Sequence, residues 1–98
     1  MLGLFSGKKK KLNQFIAAGA TVIDVRTPTE YEGEHLRSSQ NIPLDQLPGF
    51  IGQLDKTRPV ITCCASGMRS ASAKRILKAK GFSQVRNGGG WASLKKYE

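Results

Sequence analysis

Residues 60–71, which read Val-Ile-Thr-Cys-Cys-Ala-Ser-Gly-Met-Arg-Ser-Ala, give the clearest indication of the fold. The apolar, β-branched run at 59–63 predicts a buried strand. Small residues at 65–68 predict a tight loop, and residues 70–80 predict a helix that ends at Gly81. Cys64 is therefore expected at the carboxyl end of a central strand, where open α/β sheets place their functional residues.

Strand-like and helix-like stretches alternate on both sides of this segment. Thr27, Pro28 and Glu30 form a capping-box pattern with proline at the first helical position, which predicts a short helix reaching Gly33. The alternation predicts an α/β fold whose mostly parallel sheet of four or five short strands is flanked by helices. The strands are predicted at 21–25, 40–43, 59–63 and 82–86. The remaining helices are predicted at 12–19, at 44–54 with an interruption or a late start at 48–49, and from Trp91 onward.

Length and composition are typical of one globular domain, which we expect over residues 1–98. Residues 1–11 form an apolar and then lysine-rich segment that we expect to be loosely ordered. The apolar stretches are too short to span a bilayer, and the order at the N-terminus is the reverse of a secretory signal. We expect a soluble, cytoplasmic protein without a membrane span, and a monomer.

The charge is strongly positive and unevenly distributed. The net charge is +9, and residues 56–97 contain ten Lys and Arg residues but no acid. Such a half-chain attracts small anions. We expect no nucleic-acid partner, because aromatic residues are few and no recognition motif is present. The Lys8–Lys11 run is interpreted as a solvated helix start, with an anionic membrane or an acidic protein as the alternative.

The two cysteines, Cys63 and Cys64, are adjacent. Neighbouring cysteines form a disulfide only through a strained ring, and two cysteines with a single distant histidine do not form a zinc site. We expect no metal and no cofactor. Amides of the loop and of the helix start, together with Arg69, would favour a thiolate at Cys64. Strand alternation turns Cys63 to the opposite face, where we expect a packed core thiol; a resolving cysteine is the alternative.

The sequence resembles the rhodanese family. Residues 64–70 match every fixed position of its loop, C-x-S-G-x-R-S, and residues 22–31 resemble its D-V-R-x-x-x-E-[FY] signature. Residues 41–43 resemble its N-I-P stretch, and residues 87–91 its glycine pair before the last helix. The resemblance runs from about Ala20 to Lys96. It departs at Glu34, Ser38 and Ser39, where the family has small residues, and at Leu94, where many members carry tryptophan.

The resemblance implies a three-layer rhodanese-like fold and a sulfurtransferase. Cys64 would take a sulfane sulfur from a small anion such as thiosulfate, and a thiol, a protein cysteine or cyanide would accept it. Arg69 would orient the loop and favour anions, while Asp24 and Arg26 would support the loop from neighbouring strand ends. The persulfide would be held by the loop residues Ala65, Ser66, Gly67, Met68 and Ser70.

Two other functions stay open on the sequence. Counted from Cys63, five residues precede Arg69, which meets the formula of a Cys-dependent phosphatase or arsenate reductase. However, Thr62 stands where the classical tyrosine phosphatases have histidine, and the S-G-x-R-S spacing starts from Cys64. A rhodanese-like module without activity is the other alternative, since fold alone does not determine function.

Overall fold

A computed structural model describes residues 11–98 of the chain. Helix α1 covers residues 11–17 of the described part, and a second short helix, α2, covers Pro28–Gly33. Helix α3 covers Leu47–Phe50 between 3₁₀ turns at Leu44–Gln46 and Ile51–Gln53, and α4 covers Met68–Ala79. The strands are β1 (Thr21–Asp24), β2 (Ser39–Asn41), β3 (Val60–Cys64) and β4 (Val85–Gly90), followed by a 3₁₀ segment at Trp91–Tyr97.

The four strands form one parallel sheet in the order β2-β1-β3-β4. Strand β3 is central and buried along its whole length. It pairs with β1 so that Asp24 lies opposite Cys63, and with β4 so that Thr62 lies opposite Asn87. The carboxyl ends of β1, β3 and β4 therefore meet at one edge of the sheet.

Each face of the sheet packs against helical segments, which gives three layers. On one face, Val60 and Cys64 join the core formed with α3 and α4, through residues such as Leu47 and Leu77. On the other face, Ile61 and Cys63 join Leu12, Leu36 and Leu94 under α1 and the terminal 3₁₀ segment. The α/β fold with a parallel sheet and flanking helices is confirmed.

Several local predictions are confirmed as well. Thr27 caps α2 by accepting a hydrogen bond from the amide of Glu30, and the Glu30 side chain accepts one from the amide of Thr27. Gly19 and Gly81 end their helices with positive φ angles of 76° and 100°. Of the two alternatives at 48–49, the structure has the late start: α3 begins at Leu47, and Pro48 stands in its first turn, where its missing N–H costs nothing.

Several element boundaries differ from the prediction, and two of the differences lie at the end of the sheet that carries Cys64. Helix α4 begins at Met68 and not at residue 70, so Met68 lies in its first turn and the loop shortens to residues 65–67. The last strand was expected at 82–86 but covers Val85–Gly90. The amide of Phe82 still bonds to Leu77 O at the end of α4, and the buried Phe82 side chain fills the core there.

The three glycines at 88–90 continue β4: Gly88 and Gly90 have no room for a side chain, and Gly89 has a φ of 81°. A Cβ on Gly88 would lie 2.8 Å from Ile61 and 2.9 Å from Leu94. The β3–β4 register shifts between Thr62 and Cys64, so that Gly90 pairs with Cys64. This bulge brings the end of β4 against the loop that follows Cys64.

No helix within residues 11–98 combines the length and the apolar character needed to cross a membrane. The expectation of a loosely ordered segment at 1–11, and the alternatives for the Lys8–Lys11 run, concern residues that lie almost entirely outside the described range. The single domain over 1–98, the cytoplasmic location and the monomeric state stay predictions.

Candidate active site

Cys64 is the last residue of β3, and its sulfur lies under the loop and the first turn of α4. The amides of Gly67 and Ser70 donate hydrogen bonds to Sγ at 3.0 and 3.4 Å. The Ser70 hydroxyl lies 3.4 Å from the same sulfur. Although the residue is only 1% exposed, two amide donors and one hydroxyl group therefore surround its sulfur.

The loop can fold this tightly over the sulfur because glycines occupy the positions where a side chain would be strained or would clash. Gly67 has a φ of 104°, in the left-handed region that side-chain-bearing residues avoid, and α4 starts directly after it. A Cβ on Gly90 would lie 2.8 Å from the carbonyl oxygen of Ala65, which is backbone and cannot move aside cheaply. The backbone at the end of β4 therefore packs directly against the backbone of the loop.

Burial and hydrogen bonding act in opposite directions on Cys64. Burial by itself raises the pKa of this thiol, but the Ser70 hydroxyl and the amides of Ser70, Gly67 and Ser66 together outweigh it and hold the pKa of Cys64 below its ordinary value. The arrangement therefore stabilises negative charge on this sulfur, which is the condition for a nucleophilic thiolate.

Cys63 has the opposite environment. Its side chain is fully buried among Leu12, Ile61 and Leu94 on the other face of the sheet. Burial raises the pKa of Cys63 to about 12, and the nearby Asp24 carboxylate acts in the same direction. The expected core thiol fits this position. The phosphatase formula needs Cys63 as its nucleophile, but that residue does not face the loop.

Arg69 lies in the first turn of α4 and is held by Glu30 of α2. Its two terminal nitrogens donate to the two carboxylate oxygens at 2.7 and 3.0 Å. This pairing lowers the pKa of Glu30 to about 2, and the capping bonds from Thr27 contribute to the shift. In the sequence, Glu30 is part of the helix cap and of the family signature, and neither names a partner for it. The partner of Arg69 was missed because 39 residues separate the two side chains.

Asp24 and Arg26 lie at the end of β1 and bind each other. The Arg26 guanidinium donates to both Asp24 oxygens, with a shortest distance of 2.8 Å, and both side chains are buried. Arg26 also donates to the carbonyl oxygens of Glu30 and Glu34 in and after α2. The pair thus holds α2, which carries Glu30, and Arg26 also lies 4.7 Å from the ring centre of Trp91, directly after β4.

Two polar residues next to the site were not singled out in the sequence. Thr62 donates to the carbonyl oxygen of Ser70 at 2.8 Å. Asn87 accepts from the Ser70 hydroxyl at 2.6 Å and donates to the carbonyl oxygen of Gly67 at 3.1 Å. The position of Asn87 directly before three glycines at a strand end was the available signal.

The remaining predicted loop residues surround the sulfur from outside. Ala65 and Ser66 are exposed, and the Met68 side chain is 80% exposed at the start of α4. A cavity of about 270 Å³ opens beside Arg69 and is lined by Val25, Thr27, Pro43, Leu44 and Asp45. It is large enough for a small molecule or one side chain. Another cavity, lined by Val22, Leu36 and Leu94, lies on the Cys63 face of the sheet.

Comparison with known proteins supports the resemblance noted in the sequence. The family model described as "Rhodanese-like domain" matches residues 8–96. The thiosulfate sulfurtransferase PspE of Escherichia coli (strain K12) is 40% identical over 70 residues, covering 69% of this chain and 67% of that protein. The thiosulfate sulfurtransferase GlpE of Stutzerimonas stutzeri (strain A1501) is 37% identical over 68 residues, covering 69% of this chain and 62% of that protein.

A comparison with solved structures also points to the rhodanese fold. A structure described as a rhodanese with anions from E. coli superposes with a TM-score of 0.70 at 37% identity, covering 74% of this chain and 88% of that one. The match spans about half to two thirds of the length of the first curated relatives. The family model covers nearly the whole sequence, and the relatives share both fold and sequence with it. The chain belongs to the rhodanese-like domain family.

Proposed function

We propose that this chain is a sulfurtransferase that carries a sulfane sulfur as a persulfide on Cys64. The observation that carries the proposal is the convergence of the Gly67 and Ser70 amides and the Ser70 hydroxyl on one buried sulfur. Such donors stabilise an anion, whether it is a thiolate or the terminal sulfur of a persulfide. The names of the GlpE and PspE relatives support thiosulfate as a donor.

The proposed reaction has two displacement steps. The Cys64 thiolate attacks the outer sulfur of thiosulfate; the new S–S bond forms as the old one breaks, and sulfite leaves with the bonding electron pair. An acceptor thiolate or cyanide then attacks the terminal sulfur, and Cys64 leaves as the thiolate. The electrons balance without an external oxidant or reductant, and ping-pong kinetics are expected.

In this proposal the loop amides provide most of the stabilisation, and Arg69 acts mainly by position and charge. Because Arg69 donates both terminal nitrogens to Glu30, it ties the start of α4 to α2. The basic chain around it attracts the anionic donor. The cavity lined by Val25, Pro43 and Leu44 beside Arg69 offers room for an acceptor thiol.

Intact-protein mass spectrometry tests the proposal. Incubation of the reduced protein with thiosulfate is expected to add one sulfur, about 32 Da, and cyanide is expected to remove it. The Cys64→Ser variant is the matched control and should stay unmodified, whereas Cys63→Ser should gain the sulfur. Absence of an adduct with thiosulfate and with inorganic polysulfide, on a folded protein, would contradict the proposal.

A further inference from the structure

The Ser70 hydroxyl stands between two acceptors but has only one proton to donate. In the structure it donates to Asn87 Oδ1 at 2.6 Å, while the Cys64 thiol is positioned to donate to Ser70 Oγ at 3.4 Å. This orientation suits a protonated Cys64. It does not suit a thiolate, which has no proton to donate and needs one from Ser70.

We propose that Asn87 is a positioning residue that controls the protonation of Cys64 by competing with its sulfur for the single Ser70 hydroxyl proton. The inference rests on the proposed role of Cys64 as a thiolate nucleophile. While Cys64 is a thiol, the hydrogen bonds run from Cys64 to Ser70 to Asn87. When Cys64 ionises, its proton leaves to water and the Ser70 hydroxyl turns from Asn87 to the sulfur.

The surroundings of Asn87 favour such an exchange. Its Oδ1 also accepts the amide of Gly89 at 2.9 Å, so the oxygen keeps a partner when Ser70 turns away. Its Nδ2 donates to the carbonyl oxygen of Gly67, whose amide binds Cys64 Sγ. Thr62 holds the carbonyl oxygen of Ser70 at 2.8 Å, which keeps the Ser70 backbone in place. Only the hydroxyl rotor needs to move.

The other charged and titratable groups around Cys64 do not take part in this chain of bonds. Arg69 pairs with Glu30, and Arg26 pairs with Asp24, so a substitution at Asn87 leaves both ion pairs in place. Cys63 faces the other side of β3. The pH profile of Cys64 also depends on the charged and titratable groups of the surrounding elements. These are Cys63 on β3, Arg69 and Lys74 on α4, Glu30 on α2, Asp24 and Arg26 at the end of β1, and Arg86 on β4.

The test is the pH dependence of Cys64 alkylation by iodoacetamide, which requires no sulfur transfer. Asn87→Leu removes the competing acceptor and should shift the profile to lower pH, raising the alkylation rate on its acidic limb about threefold to tenfold. Asn87→Asp keeps an acceptor, strengthens it and adds negative charge, so it should shift the profile to higher pH. Near-ultraviolet circular dichroism checks that each variant is folded.

The decisive control is the Ser70→Ala background, in which there is no hydroxyl proton to share. There, the shift caused by Asn87→Leu should vanish. A role limited to packing would loosen the loop amides and move the Asn87→Leu profile to higher pH, with or without Ser70. An upward shift, no shift, or a shift that persists in Ser70→Ala would overturn the inference. Failure of the proposed sulfur transfer would appear instead as a missing persulfide on a normally alkylated Cys64.

Discussion

The two faces of β3 place adjacent cysteines in opposite chemical environments. Cys63 and Cys64 are 0% and 1% exposed, so burial does not distinguish them. The sulfur of Cys64 receives the amides of Gly67 and Ser70, and its pKa lies below the ordinary thiol value. Cys63 lies among apolar side chains near a carboxylate, and its pKa rises to about 12.

The difference shows that donors, and not solvent access, decide which thiol can become an anion. Removing a sulfur from water disfavours the thiolate in both positions. Only the side of the sheet that carries the loop and the start of α4 compensates with oriented N–H groups. Substitutions that remove the thiols, the loop contacts or the loop's ion pair should therefore affect the two faces differently.

The largest effect on sulfur transfer is expected when each of the two cysteines is replaced in turn by serine. Cys64→Ser should lower the rate of thiosulfate-dependent sulfur transfer by about a thousandfold or more, because a serine hydroxyl is not ionised near neutral pH and carries no persulfide. Cys63→Ser should keep activity within about tenfold, after a loss of stability from placing a hydroxyl in an apolar site. Steady-state assays with thiosulfate and cyanide measure both. Activity lost in Cys63→Ser and retained in Cys64→Ser would reverse the assignment.

A large effect is also expected when a side chain is added at Gly90, where the end of β4 packs against the loop. In Gly90→Ala the new Cβ would lie 2.8 Å from Ala65 O, so the loop must move away from Cys64. We expect sulfur transfer to fall about tenfold to a hundredfold, and the pKa of Cys64 to rise as the loop amides withdraw. Gly52→Ala is the matched control, because a Cβ there meets nothing within 4 Å. Equal activity in the two variants would show that the loop does not depend on this contact.

The two cysteines should make opposite contributions to stability as pH changes. The pKa of Cys64 is lowered in the folded state, so its contribution is present above the unfolded thiol pKa and is lost as pH falls through the folded value. The pKa of Cys63 is raised, so its contribution is present below the unfolded thiol pKa and is lost as pH rises toward about 12.

Urea unfolding as a function of pH measures these contributions as differences from the parent protein, which cancels the titration of the lysines. Cys64→Ser should remove a gain in unfolding free energy on going from neutral to mildly alkaline pH. Cys63→Ala should remove a loss at higher pH. Differences of the same sign for the two variants would show that the faces of β3 do not differ as described.

The smallest effect is expected at the ion pair that joins α4 to α2. Glu30→Gln should cost less than about 1 kcal/mol, because both side chains of the pair are more than a third exposed. The contribution of the pair is present above the ordinary carboxyl pKa and is lost as pH falls toward about 2, the pKa of Glu30. We also expect a severalfold loss of sulfur transfer, since Arg69 is no longer held.

Glu34→Gln is the control for this variant. It removes the same charge from an exposed pair with Lys95, 2.8 Å apart, which does not contact the Cys64 loop. A similar loss of transfer in both variants would assign the effect of Glu30→Gln to net charge and not to the position of Arg69.

Much of the fold could be predicted because its signals are local. The β-branched run of β3, the capping box at Thr27 and Glu30, and Gly19 and Gly81 at helix ends each act within a few residues. The last strand could not be predicted in this way. Its glycines have little intrinsic strand preference, and Gly88 and Gly90 are required there because Ile61, Leu94 and Ala65 leave no space for side chains.

The same distinction between local signals and long-range contacts applies to the candidate site. The order of the elements, the strand-to-loop position of Cys64 and the opposite orientation of Cys63 follow from the amino-acid sequence, because side-chain alternation and turn chemistry are properties of neighbouring residues. The pairing of Arg69 with Glu30, the contact of Arg26 with α2, and the hydrogen bond from the Ser70 hydroxyl to Asn87 could be seen only in the folded chain. These contacts join elements distant in the chain, and their geometry arises when the strand ends meet at one edge of the sheet.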